Sequence, residues 1–153
     1  MIAHMTPEHF VQWMDRVAAM PWPLTLEEFT QHTPQLGWLV DGEPYGFVGD
    51  FAGEVRHVTV VDTPEGHVVE ILIPLCVPPV NVPTNERLDI LNPLSEDYDA
   101  AAEEAWGPLL NRKAGERLEL EWAHPSGGQV DLLFSEVGLA ARYMTPQAVQ
   151  LLS

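Results

Sequence analysis

The chain has 153 residues, 46% of them hydrophobic, and sets 23 acidic against 7 basic side chains for a formal charge of −16. That length suits a single domain, residues 1–153, with a core of its own. The charge argues against direct contact with DNA or RNA and against anionic lipid surfaces, because it repels phosphates; it attracts a basic partner and also keeps the chain dispersed.

Thr6-Pro7-Glu8 predicts a helix start: a hydroxyl cap, a proline at the first helical position and an early acid. Phe10, Trp13, Met14 and Val17 follow at helical spacing, as a core-facing stripe. Pro21 and Pro23 end that helix. Thr25-Leu26-Glu27-Glu28 has the form of a capping box. Gly37 is a natural end for this second helix, with Pro34 breaking it one turn earlier. The stretch PWPLTLEEFTQHTPQLGW, from Pro21 to Trp38, therefore reads as packing that positions other surfaces. From Trp38 the period changes. WLV leads into a turn at Asp41-Gly42, and YGFVGDFAG suits a strand with a bulge or a tight turn. EVRHVTVVD (Glu54 to Asp62) and HVVEILIPLCV (His67 to Val77) form a predicted hairpin about TPEG, with an idealised register that sets His67 opposite Asp62. The second of these strands is apolar through its centre, as a central strand is.

Pro78 to Pro83 is an expected extended exit from the sheet, and Thr84 to Leu91 a short helical turn. Ser95 is expected to cap a long helix, SEDYDAAAEEAWGPLLNRKAG, whose first-turn acids and late Arg112 and Lys113 match the helix dipole. Pro108 is expected to kink that helix or to start another. LELEWAH and QVDLLFS alternate about the turn PSGG as a second hairpin, and GLAARYM is one more strand. Thr145-Pro146 opens a short terminal helix. The class is α+β: a mainly antiparallel twisted sheet with two N-terminal helices, one longer central helix and a short C-terminal helix.

The apolar run ILIPLCVPPV is too short and too rich in proline to span a bilayer. MIAHMTPEHF has no basic start followed by an apolar block, so no secretory signal is expected. Cys76 is the only cysteine and cannot form an internal disulfide, which points to a cytoplasmic location. It lies in an apolar run without a basic neighbour in sequence, the setting of a core thiol rather than a nucleophile. None of the six histidines falls in a metal-ligand pattern, and solvated or singly bonded imidazoles are expected. Ser126 in HPSGG is not in a GxSxG motif, and a hairpin turn accounts for it. Gly46 and Gly49 do not lead a strand into a helix, so no phosphate loop is indicated. Glu96, Asp97, Asp99, Glu103 and Glu104 lack the spacing of a calcium loop. No catalytic residue, metal ligand or cofactor is assigned.

A Trp-Pro link, a capped helix ending in Leu36-Gly37-Trp38 and then a sheet resemble small acidic actinobacterial immunity proteins of polymorphic or secreted toxin systems. The later layout agrees: Ala102, Ala105 and Trp106 on a helix, Glu121-Trp122 on a strand, a glycine turn, then Val130 to Phe134. The resemblance implies a non-enzymatic protein that covers a toxin's active site, with a basic toxin domain as partner and no catalytic residue. Two alternatives stay open: a secretion chaperone or adaptor, which would dimerise and expose an apolar groove for a client segment, and a small enzyme with a cleft near residues 78–93. The chain is expected as a monomer or homodimer. The candidate partner-binding residues are Asp41, Glu43 and Asp50 around the first sheet turn, with Tyr45 and Phe47 as aromatic anchors or core, and Glu96, Asp97 and Asp99 at the start of the long helix. Each of these acids is otherwise an ordinary solvated carboxylate.

Overall fold

The computed structural model describes residues 5–40, 46–51, 54–76, 81–113, 118–135 and 138–152. Their elements follow in the order α1 (Pro7–Ala18), α2 (Leu26–His32), a 3-10 turn (Thr33–Leu36), β1 (Leu39–Val40), β2 (Gly46–Phe51), β3 (Glu54–Asp62), β4 (Val68–Cys76), α3 (Thr84–Trp106), β5 (Asn111–Lys113), β6 (Leu118–Ala123), β7 (Gln129–Ser135), β8 (Gly138–Met144) and α4 (Pro146–Leu152). The fold is α+β.

Local signals place the first helices. The Thr6 hydroxyl accepts from the His9 N–H at 3.2 Å and Pro7 opens α1. At α2 the capping box is closed in both directions: Thr25 N–H donates to Glu28 Oε1 at 3.0 Å, and Glu28 N–H donates to Thr25 Oγ1 at 3.1 Å. These bonds hold the exposed Glu28 carboxyl below its ordinary range. Gly37, at φ 78°, ends the 3-10 turn in the left-handed region that favours glycine.

The eight strands form one antiparallel sheet in the order β1-β2-β3-β4-β8-β7-β6-β5. Two meanders, β1–β4 and β5–β8, thus join through their last strands, with α3 as the connection between them. β4 lies inside the sheet, as its apolar centre predicts. The β3–β4 hairpin departs from the idealised register. Asp62 pairs with Val68, a bulge falls between Val61 and Asp62, and the Thr63 N–H donates to the His67 carbonyl at 2.8 Å. The extra residue in the ladder shifts the pairing that a simple count from the turn suggests.

The long helix differs most from its expected form. It starts at Thr84, runs 23 residues and passes through Pro93. Ser95 is not its cap; its hydroxyl donates to the Asn92 carbonyl at 2.7 Å, and the residue is buried. The reason is tertiary. Leu91, Ser95, Tyr98 and Ala102 recur at four-, three- and four-residue steps and are all buried, so one continuous stripe packs on the sheet across the proline. Gly107 ends the helix at φ 102°. Arg112 and Lys113 consequently lie in the edge strand β5 and not in a last helical turn.

The core lies between helices and sheet. Register places Ile71, Tyr143, Val130 and Trp122 in one cross-strand row, and all four are fully buried. Phe10 of α1 inserts above them, edge-on to Tyr98 at 5.5 Å, to Trp106 at 5.6 Å and to Trp122 at 6.5 Å. Trp22 stacks on Phe29 at 5.8 Å and donates from Nε1 to the Val17 carbonyl at 3.0 Å, while the buried Trp38 stacks on Trp13 at 5.7 Å. The tryptophans of the Pro21–Trp38 stretch are packing elements. Phe10→Ala is expected to cost about 3–5 kcal/mol, measured as a lower urea midpoint with an unchanged slope.

Candidate functional site

Three polar arrangements are built on this frame. The first gathers five residues from four places in the chain. Asp15 of α1 receives Trp106 Nε1–H at 2.9 Å and lies 2.7 Å from His124 Nε2 on the same oxygen. His124 follows β6, and its Nδ1 is 2.8 Å from Ser126 Oγ, which in turn is 3.0 Å from the Tyr143 hydroxyl. The Ser126 backbone N–H donates to Nδ1 at 3.0 Å, which makes Nδ1 the acceptor and assigns the imidazole proton to Nε2, facing Asp15. His124 is therefore bonded through both nitrogens, with only 8% of its side chain exposed. The expectation of a solvated or singly bonded imidazole does not apply to it.

Carboxylate, imidazole and hydroxyl in series are the parts of an acyl-transfer triad. Here the turn spends its amides on itself. Ser126 N–H is on Nδ1, Gly127 N–H is on the His124 carbonyl at 3.0 Å, and Gly128 N–H is on Ser126 Oγ at 3.3 Å. None of these donors is left to meet an oxyanion, and the Nδ1 lone pair is already engaged by the Ser126 N–H. The array works as a clasp that ties α1, the end of α3, the β6–β7 turn and β8 together. Asp15 and His124 are 109 residues apart, and no local pattern links them.

The second arrangement lies on the sheet face opposite the Tyr143 row. Arg142, Asp131 and Glu121 stand directly across from one another on β8, β7 and β6. Arg142 grips Asp131 through Nε at 2.8 Å and Nη2 at 2.5 Å, and Gln129 Nε2 donates to the other Asp131 oxygen at 2.8 Å. Lys113 Nζ meets Glu121 at 2.9 Å. Burial pushes the Asp131 carboxyl above its ordinary range, outweighing the pull of Gln129 and Arg142, and the Glu121 charge adds to the rise. Burial works against the Arg142 charge, but the bonds and charge of Asp131 overcome it and raise that group too. The net stabilisation from such a pair is small, because desolvation of the two charges offsets their attraction.

The third is the outer surface of α3. The helix carries seven acids and one base, Arg87. Glu86, Asp89, Glu96, Asp97, Glu103 and Glu104 are exposed, and Asp99 is half-buried. Glu86, Ile90, Asp97 and Glu104 repeat at four- and seven-residue steps and share one outward stripe. Among the described residues no group of three or more His, Cys, Asp or Glu could hold a metal ion.

Of the expected partner-binding residues, Glu96, Asp97 and Asp99 come together on α3, but in mid-helix. The dipole of a first turn, expected to favour them, does not act there. Asp41, Glu43 and Tyr45 lie outside the described residues. Asp50 is in β2, and its side chain is likewise outside them. Phe47 is corrected from anchor to core: it is fully buried and edge-on to Phe29 at 5.3 Å, because its strand position opposite Val58 faces the helices. No sequence motif marks a shallow hollow of about 290 Å³ lined by Arg16, Met20, Pro21, His32, Gln35 and Leu36. Arg16 is engaged there already, 4.2 Å over the Trp13 ring and donating to the Gln35 carbonyl at 3.3 Å.

Two outcomes follow from these contacts. Asp131 binds its proton more tightly folded than unfolded, so its contribution favours folding at low pH and is lost as pH rises from the ordinary aspartate value of about 4. Urea midpoints of the protein relative to Asp131→Asn should therefore fall with rising pH; a rising difference would mean that the Arg142 pair outweighs burial. At Gly128 an added Cβ would stand 2.5 Å from the Tyr143 hydroxyl and 2.6 Å from the Met144 carbonyl oxygen. Gly128→Ala should cost about 1–3 kcal/mol through overpacking, read by thermal unfolding.

No helix among the described residues is long and apolar enough to cross a membrane. Neither curated proteins nor solved structures gave a match. The profile of one family of unknown function, DUF6301, matches residues 8–142, a span that runs from the second residue of α1 through the sheet and α3 and leaves out the last two residues of β8 and all of α4. The chain belongs to the DUF6301 family.

Proposed function

We propose that this chain is a non-enzymatic binding protein that neutralises a cognate toxin by laying an acidic surface over the toxin's active-site mouth. The observation that carries the reading is the outer surface of α3, where six exposed acids stand on a helix clamped at several points. Tyr98 donates to the Met5 carbonyl, Trp106 donates to Asp15, and the Trp106 ring meets Trp122 at 6.2 Å. The helix backbone that carries these acids therefore has little freedom to lose on docking. Many such toxins attack nucleic acids or nucleotides and use basic clefts, and carboxylates complement such a cleft and raise the rate of encounter. Affinity needs an apolar anchor as well; Ile90 is exposed on the same stripe. The layout shared with immunity proteins supports a toxin as the partner.

The test is co-expression with a toxin encoded beside this chain's own gene. Growth should be restored and the two proteins should co-purify. Combining Glu96→Gln, Asp97→Asn and Asp99→Asn should slow association about tenfold at low salt, with the difference closing as salt is raised. Absence of both rescue and binding would show the reading to be wrong.

A further inference from the structure

The two edges of the sheet are unlike. β5 presents Asn111, Arg112 and Lys113, all exposed, and cationic side chains at an edge discourage a further strand. At the other edge β1 is Leu39-Val40, exposed at 72% and 52%. Among the strand side chains that are described, Leu39 is the most exposed large apolar one. β1 pairs only with Val48 and Phe47 of the six-residue β2. Among the described residues, β2 from Gly49 to Phe51 therefore has no strand on that side. The chain before β1 turns away, with the Trp38 N–H on the Thr33 carbonyl at 3.2 Å. An edge with open backbone groups, apolar side chains and no cationic guard is a template for an extended segment. A second copy is a poor occupant, because two chains of −16 repel each other.

We propose that β1 and the adjoining length of β2 dock an extended basic segment of the partner protein, which joins the sheet as a ninth strand. Its backbone would satisfy the open edge. Leu39 and Val40 point to opposite faces of the sheet, so its alternate apolar side chains would pack beside Leu39 on one face, while its lysines or arginines would lie on the other face, beside Val40, in the field of the acidic chain. This inference rests on the proposed function, in which the partner is basic, and adds how that partner attaches.

The probe is an eight-residue peptide of alternating lysine and valine, capped at both ends, titrated into the full chain and followed by fluorescence anisotropy and amide NMR. Saturable binding weakened by salt is expected, with amide shifts centred on Leu39, Val40 and Gly49 to Phe51. Leu39→Lys should weaken binding about tenfold by placing a like charge at the edge; Leu39 is exposed, and an unchanged far-UV spectrum would verify the fold. The same peptide N-methylated at alternate residues keeps its charge but loses strand-forming donors, so it should not bind. Equal binding of the methylated peptide, indifference to Leu39→Lys, or no binding at all would overturn the proposal. Binding insensitive to Leu39→Lys but lost with the combined Glu96, Asp97 and Asp99 substitutions would leave α3 as the docking surface. The reverse pattern would support the edge and count against α3.

Discussion

The pairing of β4 with β8 makes one sheet out of two meanders. Its register sets Ile71 across from Tyr143 and Ile73 across from Ala141, all four fully buried. Between them Leu72 meets Arg142 on the other face. Because side chains alternate with a period of two, a slip of one residue would turn Arg142 toward the aromatic core and Tyr143 away from it. The cost of burying that guanidinium without Asp131, together with the loss of the aromatic contacts, makes such a slip prohibitive. The helix layer, the polar row and the position of both edges all follow from that single alignment.

On this sheet α3 has two distinct faces. Its inner stripe packs and its outer surface carries charge, so the same helix that connects the two meanders presents the most concentrated acidic surface described. The clasp at Asp15 joins the end of that helix to the β6–β7 turn through Trp106 and His124. A constellation with the parts of a hydrolytic triad is thereby turned to positioning. The decisive feature is the backbone: each amide of the turn from Ser126 to Gly128 has a bond to keep. Side-chain identity alone would have suggested chemistry, and the backbone accounting redirects it.

Much of the fold was legible because its signals are local. A hydroxyl followed by proline and acid, a capping box, a left-handed glycine and period-two alternation each act within a few residues, and α1, α2, the hairpins, β8 and α4 were readable from them. The start of α3 was not. Ser95 and the acids after it form a strong local start signal, yet burial of Leu91 through Ala102 along one stripe overrides it and carries the helix through Pro93. Phe47 shows the same limit: an aromatic residue among glycines reads equally as loop anchor or core, and only its pairing with Val58 decides which. Of the candidate surface, Glu96, Asp97 and Asp99 on α3 could be named from sequence, but their mid-helix setting and the anchoring of their helix through Tyr98 and Trp106 could not.

By itself, then, the sequence determined the class of fold, the sign and size of the field around it, and the identity of most elements, since these depend on composition and on contacts a few residues long. The tertiary structure alone decided which strands lie at the edges, which acids share a helix face, and that Asp15, Trp106, His124, Ser126 and Tyr143 meet. Those outcomes depend on contacts such as that between Asp15 and His124, 109 residues apart, and such contacts are set by burying one continuous apolar surface, a quantity that no short stretch of the chain contains.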